Sequence, residues 1–328
     1  MSKKKATQGS YEVQPAKPKQ VRTFLVTIIE PAFDAQVGVN FSAVGTCDAP
    51  PGTTIQVEFK RSSGTPITKN PVTDEYRTWR ADFTSVPMGN NYKLTAQKQG
   101  GGSNVDEVTD IDVSDFSIEQ PAPGSDVSDE CSVCGTCNDL IANPTFQIEV
   151  FCTAADDPDE PVVATTSPQG TFVAFFDELD PDVTAVFTAE CTNTSATVDP
   201  VGDMDVEDPA APSAEIEEPY NGQEYPSIDP PTFVSSGFTT IYEASGEHKT
   251  NRQLFAYVTE KGKLLHAPIP VTDGDPVGGN KVEWKIELYK LFRGKAPVGT
   301  YHFHVVGLKA DKHKKQHHRS SGKFKVLT

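Results

Sequence analysis

Residues 131–137 read CSVCGTC, and ninety positions earlier residues 41–47 read FSAVGTC. Cys131 stands where Phe41 does, Cys134 where Val44 does, and Cys137 where Cys47 does. An aromatic and an aliphatic replaced in register by thiols mark one strand of a repeated unit, not an isolated C-x2-C-x2-C motif. Side chains alternate across a strand. If 41, 43, 45 and 47 face a core, then Cys131 and Cys137 face inward in the second copy and Cys134 faces out.

The repeat extends in both directions. IIEP (28–31), IEQP (118–121) and IEEP (216–219) each place an isoleucine ahead of a proline, as suits a first strand at a sheet edge. An extended segment with a glycine follows, at Gly45, Gly135 and Gly237. TTIQVEFK (53–60), PTFQIEVF (144–151) and NRQLFAYV (251–258) are read as period-two strands. TWRADF (78–83), TFVAFF (171–176) and EWKIEL (283–288) each carry an aromatic second, and YKLTA (92–96), AVFTA (185–189) and YHFHV (301–305) come next. DIDV (110–113), DMDV (203–206) and KFKV (323–326) close the copies. Some seven short strands repeated three times predict an all-β chain of three tandem sandwiches, spanning 24–115, 116–208 and 209–328, behind a disordered basic arm over 1–23.

The I-x-x-P start, the glycine-bearing second strand and the Gly299-Thr300-Tyr301 lead-in to a late strand resemble the bacterial immunoglobulin-like domains found in tandem on surface proteins and some phage particles. The resemblance covers roughly 24–328. Tyr301 and Tyr92 fall where that family places a tyrosine at a corner between sheets, and Ala185 breaks the pattern in the middle copy. The resemblance implies an immunoglobulin-like fold and a role in adhesion, spacing or decoration. With short acidic linkers that repel, the three domains are expected to form an elongated rod.

Glycine (24) and proline (26) are frequent enough for short strands and many turns. No run approaches the roughly 20 apolar residues of a membrane helix, so no membrane insertion is expected. The opening MSKKKATQGSYEVQPAKPKQ lacks the apolar stretch of a secretory leader. A virion or cell-surface location reached without such a leader is the expectation. The net charge is -17, yet both ends are basic: residues 1–22 hold six Lys/Arg and one Glu, and 306–328 hold seven Lys/Arg and one Asp. The acidic body is expected to repel nucleic acid, while the basic ends suit an anionic partner.

Strand order places Cys137 near Cys191 at one end of the second sandwich and Cys131 near Cys152 at the other. Three readings of the thiols compete: two disulfides, Cys137–Cys191 and Cys131–Cys152; buried free thiols; and a zinc site, which the outward turn of Cys134 disfavours. All seven histidines lie in the third copy. His302 and His304 are expected side by side on its outer face, either as exposed polar residues or sharing a metal with a loop histidine. The acidic runs DDPDEP (156–161), DELDPD (177–182) and DPVGDMDVEDP (199–209) lack calcium-loop spacing and read as solvated turns or a calcium contact between domains.

No nucleophile elbow, phosphate loop, dinucleotide fingerprint or H-E-x-x-H is present. The chain is therefore read as non-enzymatic and without a cofactor: a structural or adhesive rod that decorates or attaches to a particle or cell surface through a protein partner or self-assembly. The alternatives are an accessory module of an enzyme system, for example carbohydrate-binding, and a binder of anionic partners through the basic ends. The divergent loop of the third copy, with Lys312, Lys314, Lys315 and Arg319, is the expected contact surface.

Overall fold

The computed structural model describes residues 23–207, 214–231, 233–234, 237–238, 241–249, 252–278, 281–309 and 316–327. The basic arm and Lys312, Lys314 and Lys315 lie outside them; Arg319 lies in the strand Gln316–Val326. Helix is confined, among the described residues, to the short turns Asn138–Ala142 and Leu288–Leu291. The chain is all-β, built of immunoglobulin-like sandwiches.

Each copy opens with the same device. Val26–Glu30 pairs antiparallel with Phe41–Cys47, and after the proline Gln36–Gly38 pairs parallel with Val105–Ser114 in the other sheet. In the second copy Phe116–Gln120 pairs antiparallel with Cys131–Cys137, then Asp126–Val127 runs parallel to Val201–Val206. In the third Ala214–Glu218 pairs with Glu243–Lys249, then Glu224–Tyr225 runs parallel to Gln316–Val326. Proline cannot donate to a ladder, so the chain leaves one sheet there and joins the facing one. The peptide bonds before Pro31, Pro121 and Pro219 are all cis, and the register shifts at the same step in each copy.

The first sandwich packs the sheet Val26–Glu30, Phe41–Cys47, Thr78–Phe83 on a five-stranded one ordered Gln36–Gly38, Val105–Ser114, Gly89–Lys98, Ile55–Arg61, Ile67–Lys69. Trp79, Phe59, Phe83 and Leu94 fill the space between. The second and third repeat the plan around Phe172, Phe187 and Val150, and around Trp284, Phe303 and Phe324. Tyr92 and Tyr301 each turn a corner, their hydroxyls donating to the carbonyls of Pro87 at 2.7 Å and Pro297 at 2.9 Å.

The glycine of the second strand has a steric cause. Gly45 lies opposite Ile28 and Trp79, and Gly135 opposite Ile118 and Phe172. A Cβ at Gly45 would stand 2.1 Å from the Thr27 carbonyl oxygen and 2.4 Å from the Trp79 ring; at Gly135 it would stand 2.2 Å from the Ser117 oxygen and 2.4 Å from Phe172. In the third copy the residue between Ile216 and Trp284 is Gly246, in EASGEHK, which corrects the choice of Gly237. Gly237 belongs instead to the small hairpin Phe233–Val234 and Gly237–Phe238.

The sandwiches do not follow one another in a line, and the elongated rod is corrected accordingly. The first touches the third directly: Ile29 and Val44 share a buried cluster with Phe255, Tyr257, Ala267 and Val306. Arg80 donates from Nη1 to the carbonyls of Leu264 and Leu265 at 3.0 and 3.1 Å. Arg293 pairs with Asp74 at 2.8 Å, donates to Thr78 and Ala267, and lies over the Tyr76 ring. The second touches both others. Apolar outer faces bring the copies together, and a short acidic linker exerts too little repulsion to keep such faces in water.

A candidate functional site at the junction of the three sandwiches

The two strands of the third sandwich that face its neighbours, Arg252–Glu260 and Gly299–Lys309, are buried on both sides. Leu254, Ala256, Val258, Tyr301, Phe303 and Val305 point into their own core. Phe255, Tyr257, Thr259, His302, His304 and Val306 form the opposite face, covered by the first and second copies. His302 Nδ1 meets Ser132 Oγ at 3.0 Å, and His304 Nε2 meets Thr259 Oγ1 at 2.9 Å. The two rings are therefore interface residues and not the exposed polar face expected. Burial, with the nearby Lys323, pushes His302 down to about 4, so it is neutral at ordinary pH. Among the described residues neither histidine gathers two further metal-ligating atoms, and neither do the acidic runs.

Cys134 and Val44, matched in the sequence, are matched in place. Both point out of their own sandwich, and the third copy buries both: Val44 against the apolar cluster of Phe255 and Tyr257, Cys134 beside the Thr259 hydroxyl. Burial drives the Cys134 thiol up to about 12, which removes it as a nucleophile near neutral pH.

Between the sandwiches lies a cavity of about 350 Å³. Its lining includes Glu30 and Phe41 of the first copy, Glu119 and Gln120 of the second, and Tyr257 and Thr259 of the third. Glu30 and Glu119 are half-buried and line this cavity. Glu119 Oε1 accepts from the Gly38 N–H at 2.9 Å and, more loosely, from the Thr136 hydroxyl at 3.4 Å. Burial and the neighbouring Glu119 push Glu30 up to about 8; burial raises Glu119 to about 7 against the pull of its two donors. Arg80, at the same cavity, is committed to Asp82, Ser42 and two carbonyls. Burial raises Asp82, but the Ser42 and Arg80 hydrogen bonds outweigh it and hold this carboxyl below its usual range. Near neutral pH, then, the cavity presents two carboxyls that take up or release a proton in response to small changes, held beside the Tyr257–Gln120 hydrogen bond that ties the third copy to the second.

The residues before the prolines explain how one repeat unit builds an asymmetric junction. Ile29 and Glu30 of the first copy, and Glu119 and Gln120 of the second, sit at the junction; their counterparts Glu217 and Glu218 are exposed. Sequence reasoning missed this use of the motif. The available signals were Ile29 where the other copies have glutamate, and LFAYV (254–258), an unbroken apolar run that period two does not describe.

All six cysteines are free, buried thiols. Cys137 and Cys191 meet at one end of the second sandwich, their sulfurs within 4.8 Å. Cys131 and Cys152 share its core from facing sheets. No helix is long and apolar enough to cross a membrane among the described residues.

No family model and no curated protein matches the chain. Solved structures similar to it include the I-band fragment I67–I69 from titin, at 10% identity over 92% of this chain and 99% of that one, with a TM-score of 0.21. A tetra-tandem repeat in the extending region of a large adhesion protein matches at 13% identity over 92% and 74% of the chains, with a TM-score of 0.21. The FN1–FN3 domains of chicken CNTN1 match at 11% identity over 92% and 97%, with a TM-score of 0.21. The immunoglobulin-like fold itself is read from this chain's own paired sheets, glycine–aromatic pairs and tyrosine corners.

Proposed function

We propose that this chain is a non-enzymatic structural or attachment protein, of three immunoglobulin-like units over 24–115, 116–208 and 209–328, that works on the surface of a virus particle or cell. The observation that supports the reading most is the junction. Side chains of three sandwiches bury one another through apolar contact, ion pairing and hydrogen bonds to backbone, so the chain offers its outer loops from one fixed body. A fixed body suits holding a position or presenting a contact surface, with a protein partner or a further copy of the chain as the counterpart. Trp79 and Trp284 are both core residues, which leaves no tryptophan platform for a sugar. Lys312, Lys314 and Lys315, with Arg319 of the strand Gln316–Val326, remain the proposed contact.

The test is association. Antibody against the purified protein should label intact particles or cells of the source, and the protein should co-sediment with them. Substituting the four basic residues with serine should weaken that association at low salt while leaving the fold unchanged. Protein that is found only free of any particle or surface would contradict the reading.

A further inference from the structure

We propose that Cys137, Asp139 and Cys191 form a binding site for a thiophilic divalent cation of the zinc class in the second sandwich. Their ligating atoms, two sulfurs and a carboxylate oxygen, all lie within 4.8 Å of one another. Tetrahedral zinc with Zn–S bonds of about 2.3 Å sets its sulfurs about 3.8 Å apart, a spacing that small side-chain rotations reach from here.

Two elements bring the trio together. Cys137 ends the strand Cys131–Cys137 and precedes the helical turn Asn138–Ala142, which carries Asp139 over the sheet end. Cys191 ends the facing strand Ala185–Cys191. The following turn sends Thr194 back, and its hydroxyl donates to Asp139 Oδ2 at 2.9 Å, fixing the carboxylate. Backbone N–H groups of Asp139 and Leu140 donate to the Cys137 sulfur, an arrangement that favours a thiolate. Such support around the ligands is what metal centres use to orient them.

The trio is peculiar to this copy. At the same corner of the first sandwich Cys47 has Lys98 for a neighbour, and a cation there opposes a metal. Both thiols are buried, at 1% and 0% exposure, while Asp139 is half-buried and forms the approach from solvent. Metal ligation takes the thiolate form of cysteine, so binding by the two thiols releases two protons to solvent as two metal–sulfur bonds form. The products are a bis-thiolate, mono-carboxylate complex of net charge minus one, with water in the fourth position, and affinity that rises with pH. No electron is transferred.

Cobalt(II) is the probe. The full chain, purified with a non-thiol reductant and stripped with chelator, is titrated with Co²⁺ and then back-titrated with Zn²⁺. The proposal expects a sulfur-to-cobalt charge-transfer band, intense tetrahedral visible bands at one equivalent, and their loss on adding Zn²⁺. Cys137→Ser and Cys191→Ser should each abolish the charge-transfer band. Asp139→Asn and Thr194→Val keep both thiols; Thr194→Val, acting through Asp139, should weaken binding about 10–100-fold. Histidine-bound cobalt gives no thiolate band, so the histidines of the third copy do not mimic the result. The proposal is overturned if fully reduced protein shows no charge-transfer band. It is equally overturned if Asp139→Asn and Thr194→Val bind as the parent does, or if Cys137 and Cys191 are joined as a disulfide and bind no metal after reduction.

Discussion

At Gly45 and Gly135 the absence of a side chain decides how closely the first strand and a core aromatic approach the second strand. The neighbours of an added Cβ are a backbone carbonyl and a packed ring, neither of which moves cheaply. Gly45→Ala is expected to cost about 1–3 kcal/mol in urea denaturation. Gly64→Ala, where the nearest atom is the Arg61 Cβ at 3.9 Å, should change stability within about 0.5 kcal/mol. Equal effects would show that the close approach is not what holds the glycine there. At this scale the sequence was largely legible. Gly45 and Gly135 were found by register with CSVCGTC, and Trp79, Phe172 and Trp284 by their shared place in a strand. Gly246 was missed because EASGEHK puts Ser245 and His248 where the other copies have Val44 or Cys134 and Cys47 or Cys137.

Among the elements, strands were readable by their period-two core face, as CSVCGTC and YHFHV were, whereas a second buried face on the same strand was not. Gly299–Lys309 shows why: His302 and His304 have the polarity of an exposed face, yet hydrogen bonds to Ser132 and Thr259 satisfy them under cover. The same buried groups set a pH dependence with two limbs. His302 in the fold titrates near 4, below its usual 6.5, so the folded state binds fewer protons and stability falls as pH drops from about 6.5 towards 4. Glu30 and Glu119 titrate near 8 and 7, above their usual 4.5, so the folded state binds more protons. Their contribution is complete below about 4.5 and is lost as pH rises to about 8. Thermal melts across pH 4–9 should therefore show Glu30→Gln flattening the alkaline limb and His302→Asn flattening the acid limb. Parent-like slopes in both variants would refute the assignment.

On the scale of the whole molecule, the threefold repeat was legible and the way its copies pack was not, because tandem order carries no record of which outer faces meet. The evidence lay in single residues: Ile29, Val44, Phe255, Tyr257 and Val306 are apolar at positions that a freestanding sandwich would give to water. Two substitutions probe the packing without entering a core. Arg293→Ala removes an ion pair to Asp74 and a hydrogen bond to Thr78 in the first copy, along with a hydrogen bond to Ala267 in the third, and should cost about 1–3 kcal/mol, with faster hydrogen exchange around Asp74 and Ala267. Gly262 has φ +77° and lies on the Phe172 backbone, where a Cβ would stand 2.1 Å from the carbonyl oxygen. Gly262→Ala should therefore part the third copy from the second, read as increased protease sensitivity of the turn around Lys261.

The central claim is that three immunoglobulin-like sandwiches close around a shared junction, and small-angle X-ray scattering of the full chain at neutral pH tests it most directly. Closed packing predicts a radius of gyration of roughly 20–25 Å, near that of a compact chain of this length. Three domains in line, each about 13 Å in radius of gyration and set about 33 Å apart, the length of a ten-residue strand, would give about 30 Å, and that value would contradict the account.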